Sequence, residues 1–462
     1  GNKESEGLMK RNKVSGEWKN FMYNGTFSHN SNTKESVSNI ISNHIHKANY
    51  FIKKNPDKSI QHIEEVIKYT QTLPNSKTNE YLSFCLLQIG DVYRDLEMHS
   101  NAIEFYSKCL EIDENTFGYY SDDYVYTLDR LAFSNYLLEN INESIRLFKE
   151  CVEIRKKVLS KNHPSLLYSL KQLYDSHSFL EIKSIDELVS LKTEILRAEK
   201  EVNGKLSVSY INEMIELANL YSDLGNCAKS MELNEDALNI FDQMMIEKDF
   251  NYLTLTTNLA FDYGCLSKLD DELKLHQLAL EVSKDIYGQK HEEYANSLSN
   301  LATVYINLKQ EKKSLELNEK ALEIYQKIYG TNSYDYSRVL NNMALAYTNL
   351  GDFKKSYKLQ KISLNIIKEI YGKYSDDYAA GLNNLALDLL NYDDKLKESV
   401  ELQYESIGIF DSIFGLENSY SLARYEILGV NQMIINDYNA ADSLFIRSLN
   451  FKIENYFTNS YN

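Results

Sequence analysis

Two residue types in this 462-residue chain recur at a spacing that chemistry could use: asparagine and cysteine. Asn258, Asn300, Asn342 and Asn384 stand 42 residues apart, and beside them run Thr257, Ser299, Asn341 and Asn383. Asn307, Asn349 and Asn391 form a third series at the same step. An asparagine side chain carries a donor pair and an acceptor. A ladder of them can therefore bond the backbone of an extended peptide whatever its sequence. Cys109 and Cys151 are also 42 apart. Equivalent positions of stacked helix pairs lie about 10 Å apart, beyond disulfide reach, so both read as buried thiols in small-residue slots. Cys85, Cys227 and Cys265 show no CxxC spacing, and five thiols without a framework favour a reducing compartment, hence the cytoplasm. His44 and His46, two apart, face different sides of a helix, which argues against a metal pair. His163 precedes Pro164 in a loop. No HExxH, GxSxG or Walker pattern occurs. The expectation is no catalytic residue, no metal and no cofactor.

The elements that must position these residues come from a repeat. Tyr287-Gly288, Tyr329-Gly330, Tyr371-Gly372 and Phe414-Gly415 follow one another at steps of 42, 42 and 43. Between them the text recurs, as in Asn300-Leu301-Ala302, Asn342-Met343-Ala344 and Asn384-Leu385-Ala386. A small residue marks each unit: Ala48, Gly90, Ala132, Ala218, Ala260, Ala302, Ala344, Ala386 and Gly429, with Tyr174 as the one large rung. A 44-residue step follows Tyr174, so a distorted unit is expected near residues 160–205. Leu298, Leu301, Tyr305 and Leu308 fall on one face of a first helix, and Leu315, Leu322 and Tyr325 on a second. Ser375-Asp376-Asp377 supplies N-cap oxygens and charge for the next helix. A second small series, Cys109, Cys151, Ala237, Ala279, Ala321, Ser363 and Ser406, marks the other helix, because helices cross closely only where a side chain is nearly absent. One such hairpin cannot bury both faces, so units stack. The reading is an all-α solenoid of about ten helix-turn-helix repeats over residues 34–455. Residues 1–33 form an irregular arm or cap around Trp18, Phe21, Met22 and Tyr23, and 456–462 a tail.

Composition agrees. Only 3 prolines and 17 glycines occur, and the last proline is Pro164, as long helices require. A net charge of −17 argues against nucleic acid and against anionic lipid. No run of about 18 apolar residues offers a membrane span, and no signal peptide is visible.

Leu350-Gly351-Asp352-Phe353-Lys354-Lys355-Ser356 and Ala321-Leu322-Glu323-Ile324-Tyr325 resemble the tetratricopeptide repeat. The 42-residue period and Ala379-Ala380-Gly381-Leu382-Asn383-Asn384-Leu385-Ala386 resemble its kinesin-light-chain subtype. Glu153-Ile154-Arg155-Lys156-Lys157-Val158-Leu159 and Leu217-Ala218-Asn219-Leu220-Tyr221-Ser222-Asp223-Leu224-Gly225 are similar to bacterial arrays that precede a caspase-like CHAT domain. HEAT and armadillo repeats share a similar period without this spacing of small residues. The resemblance implies a right-handed superhelix whose inner helices line a groove for a protein or peptide. Its function is then a binding scaffold, or alternatively the sensor part of a larger bacterial effector such as a CHAT-type protease.

The resemblance also makes the residue before each Leu-Ala step a groove position. It thereby assigns Asn258, Asn300, Asn342, Asn384, Asn341, Asn383, Asn307 and Asn349 to a peptide-binding groove. Relatives that clamp a C-terminal carboxylate use Lys or Arg there. Only Arg130 and Arg338 are basic at matching positions, which disfavours a clamp. A second polar series, Asn234, His276, Asn318, Gln360 and Gln403, takes a slot that Tyr106 and Phe148 fill earlier. Side-chain bonds to neighbouring helices are expected there, since an unbonded buried polar group costs about 1–3 kcal/mol. The amphipathic last helix, with Leu444, Phe445, Leu449 and Phe451, leaves self-association or a covering domain as expectations.

Overall fold

The computed structural model describes residues 32–70, 79–160, 162–180, 184–392, 395–415 and 419–460. The expected arm around Trp18, Phe21, Met22 and Tyr23 lies outside them. The chain divides into two compact units, Gly1–Leu224 and Gly225–Asn462. In unit 1 the helices are α1 (Asn32–Phe51), α2 (Pro56–Thr70), α3 (Asn79–Asp95), α4 (His99–Phe117), α5 (Asp122–Leu137), α6 (Ile141–Val158), α7 (Pro164–Ser178), α8 (Ile185–Asn203) and α9 (Val208–Asp223). Unit 2 begins with α10 (Cys227–Met244), α11 (Phe250–Cys265), α12 (Leu269–Tyr287), α13 (Glu292–Asn307), α14 (Glu311–Tyr329) and α15 (Tyr334–Asn349). It continues with α16 (Phe353–Tyr371), α17 (Asp376–Leu389), α18 (Leu396–Phe414), α19 (Ser419–Ile434) and α20 (Tyr438–Ser460). The last helix thus runs past residue 455, where a tail was expected. Within each unit every helix packs on the next. This is the all-helical hairpin stacking that the 42-residue step requires.

Each boundary has a local cause. Ser121, Ser207, Ser333 and Ser375 accept the backbone N–H of Tyr124, Tyr210, Tyr336 and Tyr378 at 3.2–3.3 Å, the side-chain N-cap that satisfies an orphan donor. His163 and His291 do the same with Nδ1 at 3.2 Å. Pro56 and Pro164 are first residues of helices, where a missing N–H costs nothing. Six second helices end on glycine, at Gly118, Gly204, Gly288, Gly330, Gly372 and Gly415, all at positive φ, whereas α6 ends on Leu159 and α10 on Met245.

The small rungs lie at the helix crossings. Ala48, Ala132, Ala218, Ala260, Ala302, Ala344 and Ala386 are fully buried. Sixteen residues on from Gly90 stands Tyr106, whose ring carbon would lie 2.5 Å from an added Cβ; Gly429 faces Phe445 in the same way at 2.8 Å. Sixteen or seventeen residues on from the alanine rungs 132, 218, 260, 302, 344 and 386 the sequence places Phe148, Asn234, His276, Asn318, Gln360 and Gln403. In the second small series Ser363 and Ser406 donate to the carbonyls of Ser337 and Ala379 at 3.0 and 2.6 Å. Cys109 donates equivalently to Ser83 at 3.2 Å.

The large rung Tyr174 is accommodated by exchange. Lys192 occupies the facing slot, with its Nζ 3.8 Å above the Tyr174 ring. Lys192 is buried and bonds Glu213 and Glu216 at 2.9 and 2.6 Å. The connection between α7 and α8 spans residues 179–184, against three residues between α5 and α6 or α13 and α14.

Candidate functional site

The first helices of unit 2 carry the asparagine series. Asn258 lies in α11, Asn300 and Asn307 in α13, Asn341, Asn342 and Asn349 in α15, and Asn383 and Asn384 in α17. Asn258, Asn300, Asn341, Asn342, Asn383 and Asn384 are half-buried, whereas Asn307 and Asn349 are exposed at helix ends. Asn342 donates to Ser299 and Thr303 of the preceding hairpin at 3.1 and 3.5 Å, so part of its capacity ties α15 to α13. Arg338 is also occupied: its Nη2 reaches Asn296 at 2.9 Å and Tyr325 at 3.3 Å. Arg130 bonds Tyr126 at 2.5 Å and lies 3.7 Å from Asp91. Neither arginine is a free cation for a carboxylate. Asn300, Asn383 and Asn384 make no side-chain hydrogen bond within the described residues, and the buried Oδ1 of Asn341 has no partner.

Three residues after each asparagine stands a residue that the sequence reading passed over. Phe261, Leu345 and Leu387 are 51%, 47% and 38% exposed, and Thr303 completes the column half-buried. Positions i and i+3 share a helix face, so an amide and an apolar side chain sit together on α11, α15 and α17, and an amide and a hydroxyl on α13. The signal was available, as the residue immediately following each small rung. Behind the column, Lys268, Lys313 and Lys355 lie over the rings of Tyr263, Tyr305 and Tyr347 at 5.1, 5.1 and 4.8 Å. These pairs hold the two helices of a hairpin together.

The second polar series is buried, and most of it is bonded as expected. Asn234 donates to Asp262 at 2.8 Å, Ser299 donates to Asn318 at 3.4 Å, and Asn431 donates to Gln403 at 2.8 Å. Gln360 leaves its Oε1 without a partner. His276 departs furthest, since neither ring nitrogen has a partner and the ring stands edge-on to Phe261 at 5.1 Å. Burial pushes its pKa down to about 4. One turn away Glu272 fills a slot that Ser230 and Ser314 occupy in adjacent hairpins. It fits because Gly264 opposes it; an added Cβ there would lie 2.7 Å from Oε1. Burial raises the Glu272 carboxyl above its usual range.

The cysteine reading needs correction. Cys227 and Cys265 form a disulfide, with Cα atoms 6.3 Å apart. The first residue of α10 and the last of α11 meet because antiparallel helices of adjacent hairpins bring those ends together, which no CxxC spacing announces. The argument from five free thiols to a reducing compartment therefore loses its basis. Cys85, Cys109 and Cys151 are free and buried, and burial pushes the first two thiols up to about 12. His44 is paired across the hairpin with His62, Nδ1 to Nδ1 at 3.2 Å, and not with His46. Among the described residues no group of three or more metal-ligating side chains occurs. No helix among them is long and apolar enough to cross a membrane. In α20 Leu444 is buried, whereas Ile446, Leu449 and Ile453 are exposed.

Unit 1 offers a different surface, an open cleft of about 1070 Å³ lined by Lys156, Leu166, Leu170, Glu194 and Arg197 among others. Lys156 and Glu194 pair within it at 2.6 Å. Its interior carries charge. Arg155 pairs with Asp129 at 2.5 Å, both buried, and Lys171 bonds Glu199 and Glu213 at 2.9 and 2.7 Å.

Hairpins of antiparallel helices at a 42-residue step, crossing at small residues and presenting a repeated amide-and-apolar face, define an α-helical repeat protein. Tetratricopeptide repeat models match residues 251–327, 335–412, 125–165 and 85–116, and the chain belongs to the tetratricopeptide repeat family. It is similar to the clustered mitochondria protein homolog of Candida albicans, 25% identical over 196 residues, covering 42% of this chain and 14% of that protein. The homolog of Eremothecium gossypii is 24% identical over 157 residues, covering 34% and 13%. The chain thus spans about one seventh of the length of these curated relatives. Both are fungal, and the expected bacterial kinship and caspase-like association find no support in them. Among solved structures, putative kinesin light chain repeats of Podosopora anserina are 21% identical, with TM-score 0.38 and coverage of 44% and 96%. BtubC of P. vanneervenii is 17% identical, with TM-score 0.43 and coverage of 51% and 94%.

Proposed function

We propose that unit 2 holds an extended polypeptide segment along α11, α13, α15 and α17, and that the chain works as a binding scaffold without catalysis of its own. One observation carries this reading: a half-buried amide at each of Asn258, Asn300, Asn342 and Asn384, with Phe261, Leu345 and Leu387 exposed three residues later. The amides can bond the peptide backbone, which every sequence has. The apolar column can take side chains, each contributing about 1.5 kcal/mol or more when fully buried. A net charge of −17 favours a neutral or basic segment and speeds its approach. It works against nucleic acid, which needs a cationic face.

The test is a selection of peptides from a random display library against the chain, followed by calorimetry. Changing Asn300, Asn342 and Asn384 together to alanine should weaken a selected peptide at least tenfold, about 1.4 kcal/mol. Because Asn342 also ties two hairpins, Leu345→Asp with Leu387→Asp serves as a second variant at exposed positions and should weaken binding comparably. Lys320→Ala and Lys361→Ala, exposed on second helices, should change nothing. Selected peptides that bind all these variants equally would refute the groove.

A further inference from the structure

We propose that the Cys227–Cys265 disulfide is a thiol-exchange site, at which a low-molecular-weight thiol becomes attached to Cys265 and releases Cys227. The two sulfurs are not equivalent. Cys227 is only 7% exposed, whereas Cys265 is exposed at the end of its helix. An incoming thiolate therefore reaches the Cys265 Sγ and not its partner. Cys227 is the first residue of the eighteen-residue α10, where unsatisfied N–H groups and the helix dipole favour negative charge. A cysteine at a helix N-terminus is thereby the better leaving thiolate. In the step the attacking sulfur bonds to Cys265 Sγ, the existing S–S bond breaks, and its electron pair leaves on Cys227. No external oxidant or reductant is consumed. The reverse attack by Cys227 expels the thiol and restores the disulfide, so the pair carries its own resolving group.

The remaining cysteines do not compete. Cys85, Cys109 and Cys151 are buried, and thiols held so far from ionisation are poor nucleophiles. The position also bears on binding. Cys265 precedes Asn307 and Asn349 by 42 and 84 residues, so it heads their column on the first helices of unit 2. An adduct there would stand at one end of the proposed groove and weaken peptide binding; this consequence alone rests on the groove reading.

The experiment treats the full chain with graded mixtures of reduced and oxidised glutathione, then maps adducts by mass spectrometry after alkylation. The expected result is one glutathione per chain, at least tenfold more on Cys265 than on Cys227. With Cys227→Ser the adduct should persist after free thiol is removed, because the resolving sulfur is gone. With Cys265→Ser uptake should fall at least tenfold. Circular dichroism of each variant checks that the helices remain. Adduct mainly on Cys227, or a disulfide untouched by glutathione while the chain stays folded, would overturn the proposal. So would complete alkylation of both cysteines in never-reduced protein. None of these readouts involves a peptide, so failure here is distinguishable from failure of the groove.

Discussion

His276 stands in a slot that holds an amide in the hairpins on either side, Asn234 and Asn318. Those amides find partners; the imidazole finds none and is kept neutral by burial, with a pKa of about 4 against an ordinary 6.5. Glu272 stands one turn before it on the same helix, and Phe261 of α11 packs edge-on against the ring. A depressed folded pKa means stability that is intact above pH 6.5 and lost as pH falls toward 4. The shift of about 2.5 units corresponds to about 3 kcal/mol over that window. His276→Asn should remove this acid sensitivity, read as a flatter dependence of urea midpoint on pH between 6.5 and 4; an unchanged slope would mean the ring is not buried neutral. Glu272 works in the opposite sense. Its raised pKa means stability present at low pH and lost as pH rises through the folded value, so Glu272→Gln should gain stability at neutral pH and nothing below pH 4. The slot itself was legible from the 42-residue step. The missing partners were not, because they depend on what α11 places opposite, and Gly264 reads in sequence as only one more small residue. The apolar column was overlooked for a related reason: whether Phe261, Leu345 and Leu387 lie inside or outside depends on packing, which leaves them exposed.

At the scale of the helix and its loop, one position repeats with little regard for residue type. Glu97, Glu139, Ser267, Lys309 and Asn436 all adopt φ between 57° and 63°, at the middle of the three-residue connection where Gly351 sits between α15 and α16. The three-residue connection demands a left-handed residue in its middle, and a side chain there costs about 1–2 kcal/mol. Lys309→Gly should therefore raise stability by about 0.5–1 kcal/mol after the greater unfolded-state freedom of glycine is set against the relief. Denaturant titration measures it, and a loss of stability would mean the Lys309 side chain contributes more than its backbone costs. The geometry recurs, the residue does not. The large rung at Tyr174 was legible from the sequence, where a 44-residue step follows it. Its remedy was not, because the burial of Lys192 over an aromatic ring with two carboxylates depends on three elements meeting.

Across the whole molecule the two units share a hairpin plan and differ in what fills it. At one second-helix position unit 1 places Asp113, Arg155 and Glu199, whereas unit 2 places Phe241, Ser283, Tyr325, Ile367 and Phe410, all buried. The helical solenoid class and the burial of the small residues were present in the sequence, because period and residue size alone determine them. The charged interior of unit 1 and the disulfide of unit 2 were hidden, because each depends on residues brought together from separate helices. The amide-and-apolar face of unit 2 draws its meaning from the repeat itself. The most direct measurement places a photo-reactive amino acid at Leu345 or Leu387, and in parallel at Lys320 or Lys361, then irradiates the chain with a selected peptide bound. Crosslinks from 345 and 387 alone are the predicted result. Crosslinks from 320 and 361 with none from the first-helix positions would place the binding face elsewhere and contradict the account.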